Sequence, residues 1–167
     1  EWLKEQITAA KEGEQTTVII DAPLTIKETV TVPEGKEIVL IDDGKAHTLS
    51  SQTGQMFEVK GKLTIDATAE SNRLVFKGGK TQVKSGNIAK VTGGGELILN
   101  DGVFCDGSIK GDYSGAVLVD KNSRFEMTGG VIKNFTLKRS VLTGTVVVTS
   151  GGGFRMSGGS IEENTST

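Results

Sequence analysis

The chain has 167 residues and a formal net charge of −2 at pH 7, a balance that argues against a nucleic-acid partner. Its single cysteine and single histidine exclude a disulfide framework and a zinc site built from cysteines. The apolar runs are too short to span a membrane. The 23 glycines follow no three-residue period, which excludes collagen.

The first predicted element is an amphipathic helix, because residues 1–13 lack the alternation of a strand. Its apolar residues share one helical face: Trp2, Leu3, Ile7 and Ala10. Gly13 is a natural stop for this helix. We expect a capping helix within residues 1–15 that covers the end of a β domain formed by residues 16–167. Trp2 is predicted to be buried in that contact, and the alternative role for its indole is a glycan platform.

After the helix, a repeat of two short alternating strands joined by a turn recurs along the chain. Its copies are TVTVPEGKEIVLI (29–41), MFEVKGKLTID (56–66), IAKVTGGGELILN (88–100), AVLVDKNSRFEMT (116–128) and VVVTSGGGFRMS (146–157). Their anchor valines are separated by 27, 32, 28 and 29 residues: Val32, Val59, Val91, Val119 and Val148. Strands at this period without intervening helices predict a parallel β-helix of about five coils, with three strands in each coil.

Aligning the copies predicts which side chains stack inside the coils, since strand side chains alternate between two faces. Apart from the valines, two further columns are apolar throughout: Ile38–Leu63–Leu97–Phe125–Phe154 and Leu40–Ile65–Leu99–Met127–Met156. The outward column between them alternates in charge: Glu37–Lys62–Glu96–Arg124–Gly153. Opposite charges on neighbouring rungs fix the register, contributing about 0.2–1 kcal/mol per pair.

The last predicted coil, ending in GGSIEENTST, has no capping element after Ile161. We therefore expect a fragment whose natural chain continues, with Phe154, Met156 and Ile161 under-covered. Strand edges with free backbone groups tend to pair, so end-to-end self-association is a further expectation.

The best candidate site lies in the loop CDGSIKGDYSG (105–115), which holds the only tyrosine. Its candidate ligand-binding residues are Asp106, Lys110, Asp112 and Tyr113. The alternative interpretation is that these residues belong to an ordinary surface loop with no ligand. Asp42-Asp43-Gly44 and Asp101-Gly102 are interpreted as turns. His47 and Cys105 have no visible partner for metal binding or nucleophilic catalysis, and we expect no metal, no cofactor and no catalytic residue.

The phrases FEMTGGVIKNFT (125–136) and FRMSGGSIEENTS (154–166) resemble a recurring bacterial surface-protein pattern that ends in G-G-x-I-x-x-N. The pattern occurs in the right-handed β-helices of the pectate-lyase-like superfamily, and related phrases mark polymorphic outer-membrane protein repeats and adhesin-like proteins. Asn164 matches the pattern, whereas Phe135 stands where it has asparagine. The resemblance implies an all-β, right-handed parallel β-helix. The superfamily includes lyases, glycoside hydrolases, adhesins and inert stalks, so the resemblance implies no single activity.

The expected function is a non-catalytic extracellular module of a bacterial surface protein, acting in adhesion or as a rigid stalk. A host or cell-surface glycan or protein is the expected partner. One alternative is the N-terminal portion of a carbohydrate-active enzyme, either a polysaccharide lyase or a glycoside hydrolase. A carbohydrate-binding module that uses Tyr113 and neighbouring acids is the other.

Overall fold

The computed structural model describes residues 1–79, 86–111, 113–138 and 142–167. In this part of the chain the fold is an all-β parallel solenoid of about five turns with one short helix at its start. The predicted fold class is therefore confirmed. Asp112, one of the four predicted site residues, lies outside the described residues.

Each coil contributes one strand in turn to sheets that run along the solenoid, and every pairing between described strands is parallel. Sheet A consists of Gln15–Ile20, Glu37–Asp42, Lys62–Ile65, Glu96–Leu99, Arg124–Met127 and Gly153–Met156. Sheet B consists of Leu24–Ile26, His47–Ser51, Leu74–Lys77, Val103–Cys105, Val131–Lys133 and Ser160–Glu162. Sheet C consists of Val30–Val32, Gln55–Val59, Asn87–Val91, Val117–Val119 and Val146–Val148. A short sheet D lies between sheets B and C and consists of Ser108–Ile109, Thr136–Leu137 and Thr165–Ser166.

The register agrees with the repeat alignment residue by residue. Val119 pairs with Val91 on one side and with Val148 on the other. Phe125 pairs with Phe154, and their rings stack with centroids 5.0 Å apart. The predicted inward columns thus form the core from the second strand of sheet A to the fifth, and their last members, Val148, Phe154 and Met156, are exposed or half-buried.

The outward charge column is also confirmed. Glu96 lies between Lys62 and Arg124 in sheet A. At the turn that follows sheet A, Asn100 donates from Nδ2 to Asp66 Oδ2 at 3.1 Å and accepts from Thr128 Oγ1 at 2.7 Å. This polar ladder connects successive turns along the solenoid.

The N-terminal helix spans Trp2–Ala9 and packs on the strand Val30–Val32 of sheet C. Leu3 and Ile7 are buried, but Trp2 is 39% exposed, so the prediction of a buried Trp2 was wrong. Consecutive helical residues are 100° apart, and with Leu3 and Ile7 aimed at the core Trp2 lies at the margin of the apolar face.

A lysine from the first coil holds the end of this helix. Lys36 Nζ donates to the carbonyl oxygens of Ile7 at 3.0 Å and Thr8 at 2.6 Å. The last carbonyls of a helix have no partner within the helix and carry partial negative charge, which an ammonium group satisfies. The N-terminal helix is therefore attached to the first coil by apolar packing and by the hydrogen bonds from Lys36.

The last coil is less covered than the coils before it. Met156 and Ile161 are exposed and Phe154 is half-buried, as the columns predict for side chains with a neighbouring rung on one side only. The strand Gly153–Met156 pairs with Arg124–Met127 and forms the edge of sheet A.

Candidate functional site

Two of the predicted site residues line an open groove on the face of sheet D. Asp106 follows the strand Val103–Cys105, and Lys110 follows the strand Ser108–Ile109. The groove has a volume of about 480 Å³, and the side chains and backbone that line it belong to two successive coils: Asp106, Gly107, Ser108, Lys110, Asn134, Thr136 and Lys138. Its lining combines hydroxyl, amide, carboxylate and ammonium groups.

Backbone conformation places the polar residues at the rim of this groove. Asp106, Asn134 and Glu163 occupy equivalent positions after sheet B and have φ values of 63°, 58° and 54°. Aspartate and asparagine tolerate this left-handed conformation better than most residues. The chain turns sharply there from sheet B into sheet D, so the side chains stack at one corner of the solenoid.

The side chains that follow Asn134 and Glu163 are directed into the coil, and the second of them, Asn164, is the asparagine of the repeat pattern. Asn164 accepts a hydrogen bond from the Phe135 amide at 2.9 Å and donates to the Ile132 carbonyl at 3.2 Å. In the preceding coil Phe135 is fully buried at this place. Its ring has room because a Cβ on Gly107 would lie only 2.5 Å from Phe135 Cε1.

The charges near the groove are partly paired. Lys77 Nζ lies 3.6 Å from Asp106 Oδ2. The neighbouring Cys105 is buried, and burial, followed by the nearby Asp106 carboxylate, raises the pKa of its thiol to about 11. A thiol with this pKa is protonated at neutral pH, and a protonated thiol is a weak nucleophile.

Tyr113 does not join Asp106 and Lys110 in the described lining of the groove. It is 51% exposed and adopts a positive φ of 54°. The residues that sequence reasoning missed are Asn134, Thr136 and Lys138. The repeat could have identified them. Thr136 pairs with Ser108 in sheet D, and in the same register Asn134 corresponds to Asp106 and Lys138 to Lys110.

A second polar cluster lies at the corner between sheets A and B. Asp42 is fully buried and accepts hydrogen bonds from the Gly44 amide at 2.7 Å, the Thr68 amide at 3.1 Å and the Thr68 hydroxyl at 2.6 Å. Burial raises the pKa of Asp42, but the bonds from Thr68 and Gly44 outweigh it and lower the pKa below its usual value. Arg73 Nη1 lies 3.9 Å from the same carboxylate.

His47 belongs to this corner as well. Its Nε2 lies 2.7 Å from Asp43 Oδ1, and the imidazole is largely buried. The His47 hydrogen bond lowers the pKa of Asp43. Because the Thr68 hydroxyl donates a hydrogen bond to Asp42, this cluster connects the turn after one sheet A strand to the loop one coil later.

Among the described residues, no group of three or more His, Cys, Asp or Glu side chains is placed to hold a metal ion. Within the same residues, no helix has the length and apolar character needed to cross a membrane.

Comparison with protein-family models, with curated proteins and with solved structures finds no match for this chain. The resemblance to pectate-lyase-like and adhesin-like repeats therefore rests on the sequence phrases around Met127 and Met156. The assignment of the solenoid fold is based on the parallel pairing of the described strands.

Proposed function

We propose that this chain is a non-catalytic extracellular module of a bacterial surface protein, acting as a rigid stalk with an adhesive face. The observation that carries the proposal is the continuous stack of sheet A, in which six described strands keep one register. Every rung is bonded to its neighbours along the axis, so bending the module would break backbone hydrogen bonds and open the apolar columns. The repeat phrases support the bacterial surface assignment.

The stalk role is tested by measuring end-to-end rigidity. Glu14 and Ser150 are exposed in the turns that precede the first and last strands of sheet A. Five rung spacings separate them, which places them about 24 Å apart along the axis. Spin labels on Glu14→Cys and Ser150→Cys should give one narrow distance distribution by electron–electron double resonance. The buried Cys105 stays in place as an unlabelled thiol. A broad distribution in the folded protein would contradict the stalk role.

The groove on sheet D supports the adhesive role, since its hydroxyl, amide and ammonium groups can form hydrogen bonds with the hydroxyl groups of a glycan. A glycan array probed with the labelled protein tests this role. Binding should fall in a Lys110→Ala, Lys138→Ala double variant and persist in Lys45→Ala, which changes an exposed lysine at another corner. Equal glycan binding by the wild-type protein, the double variant and Lys45→Ala would show that the groove is not the glycan-binding site.

The carbohydrate-active alternative is tested separately with a panel of plant, bacterial and host polysaccharides. Reducing-end release reports hydrolysis, and ultraviolet absorbance of unsaturated uronates reports lyase activity. We expect neither signal. Turnover that disappears in Asp106→Ala would replace the stalk proposal by the enzyme alternative and make the groove an active site.

A further inference from the structure

A second groove lies where four successive strands of sheet C begin. Its volume is about 370 Å³, within the range of small-ligand sites. Its lining comes from four successive coils and is mainly polar: Thr29, Gln55, Asn87, Lys90, Ser114 and Leu118. Three rung spacings separate the first and the last of these coils, so the groove extends about 14 Å along the solenoid axis. It shares no lining residue with the groove on sheet D.

Two carboxamides lie next to each other in this groove. Gln55 and Asn87 pair in the register of sheet C, so they are one rung apart, about 4.8 Å. Asn87 is only 6% exposed, and neither carboxamide forms a hydrogen bond with another described residue. The large majority of buried side-chain polar groups in folded proteins are hydrogen-bonded. The donors and acceptors of these two side chains are therefore available to a molecule in the groove.

Lys90 adds a positive charge to the same groove. Its neighbour in the register, Glu58, lies 3.3 Å from Lys60 Nζ. Asp120, which follows the next strand of sheet C, accepts a hydrogen bond from the Thr149 hydroxyl at 3.0 Å. Within the described residues the half-buried Lys90 ammonium forms no salt bridge, and no acidic side chain lines the groove. The groove therefore favours a ligand with an anionic group.

The strand pairing favours a sugar over a peptide as the ligand. A peptide that binds by adding a strand needs a free sheet edge. The strands Gln55–Val59 and Asn87–Val91 are bonded to neighbouring strands on both sides, so neither offers such an edge. The carboxamides and the hydroxyls of Thr29 and Ser114 instead match a ligand with several separate donors and acceptors, as a sugar has.

We propose that the groove on sheet C binds a sugar that carries both an acetamido group and a carboxylate. The acetamido N–H donates to the Asn87 carboxamide oxygen and the acetamido carbonyl accepts from the Asn87 NH₂ group, since each amide has a donor and an acceptor. Gln55 bonds to the hydroxyls of the ring, Leu118 contacts the acetamido methyl group, and Lys90 binds the carboxylate. This site is additional to the adhesive groove on sheet D and does not depend on it.

Two-dimensional NMR of the isotope-labelled wild-type protein tests this site, because the side-chain amides of asparagine and glutamine give their own signals. N-acetylneuraminic acid and N-acetylmuramic acid carry both groups, N-acetylglucosamine carries only the acetamido group, and glucose carries neither. We expect the Asn87 and Gln55 signals to shift with a millimolar Kd for the two acids and with a Kd about tenfold weaker for N-acetylglucosamine. Glucose should cause no shift. Tighter binding of N-acetylneuraminic acid would point to host-cell glycans as the source of the ligand, and tighter binding of N-acetylmuramic acid to the bacterial wall.

Two variants separate the contributions of the amide and of the charge. Asn87→Asp keeps the side-chain shape but loses the donor and adds a negative charge, so it should weaken binding of all three acetamido sugars at least about tenfold. Asn122→Asp makes the same change in an exposed turn and should keep the wild-type Kd values. Lys90→Gln should remove the preference for the two acids and leave the Kd for N-acetylglucosamine unchanged.

The absence of any shift in the wild-type protein would overturn the proposal, and so would equal binding of glucose and N-acetylglucosamine. Shifts confined to the Asn134 amide would also overturn it, because they would place the sugar in the groove on sheet D and leave the adhesive proposal intact. The same Asn87 and Gln55 shifts on adding an acidic peptide, without shifts on adding sugars, would replace the sugar by a protein partner. If Asn87→Asp does not fold, the sugar series on the wild-type protein and Lys90→Gln still decide the outcome.

Discussion

Replacing Asp42 by asparagine should destabilise the solenoid far more than its position in a turn suggests. The asparagine has one acceptor oxygen where the carboxylate has two, and its amide group would face an N–H group of either Thr68 or Gly44. One buried backbone donor therefore loses its partner, which costs about 1–3 kcal/mol. The remaining bonds also change from charged to neutral, a further loss of about 1 kcal/mol. We expect the free energy of unfolding to fall by about 2–4 kcal/mol.

Urea denaturation at pH 7, followed by far-ultraviolet circular dichroism, measures this loss. Asp43→Asn is the matched control, because Asp43 is the adjacent carboxylate, is more exposed and bonds to His47 and to the Lys45 amide. The control should lose less stability than Asp42→Asn. Equal losses in the two variants, or a loss below about 1 kcal/mol for Asp42→Asn, would refute the conclusion that the hydrogen bonds of Asp42 stabilise the contact between the two turns.

The acid side of the stability curve should respond to the same carboxylate. The folded-state pKa of Asp42 lies below its unfolded value of about 3.9. The contribution of Asp42 to the free energy of unfolding is therefore fully present above the unfolded-state pKa, and it is lost as the pH falls through the folded-state pKa. Asp42→Asn should flatten the decline of stability below about pH 4. An unchanged slope would assign the acid sensitivity to other carboxylates.

Three further expectations concern packing and reactivity. Ile7→Ala should lower stability by about 2–5 kcal/mol, and Trp2→Ala by clearly less because Trp2 is exposed; the reverse order in urea denaturation would contradict the cap geometry. Gly107→Ala should cost about 1–3 kcal/mol, since its Cβ would lie 2.5 Å from the Phe135 ring, and a thermal melt equal to wild type would refute this clash. The Cys105 thiol, with a pKa of about 11, should resist a thiol-reactive dye at pH 8 until urea unfolds the chain; rapid labelling of the folded protein would show that the thiol is accessible.

The fold could be predicted because a solenoid repeats one environment. Val91 and Val119 occupy the same column in successive coils, so a fixed step in the sequence becomes a contact in space. Phe154 and Phe125 stack for the same reason. A period measured over five copies specifies the register of sheet A more strongly than the propensity of any single strand.

The groove and the corner cluster were harder to predict, since both depend on contacts between coils of unequal length. The sheet D strand Ser108–Ile109 has two residues, too few for a periodic signal. Thr68 reaches Asp42 from a loop 26 residues later, and no local pattern marks that loop as its partner. Trp2 was misplaced because it lies about 100° from Leu3 around the helix, at the margin of the apolar face and not at its centre.

The alternating charges on sheet A limit how this solenoid could grow by duplication. Copying the single coil that carries Lys62 would place two lysines on adjacent rungs, and like charges directly opposite each other are destabilising. Copying two coils together, with Lys62 and Glu96, would keep the alternation through every new junction. A longer version of this solenoid, natural or engineered, should therefore be built by duplicating coils in pairs.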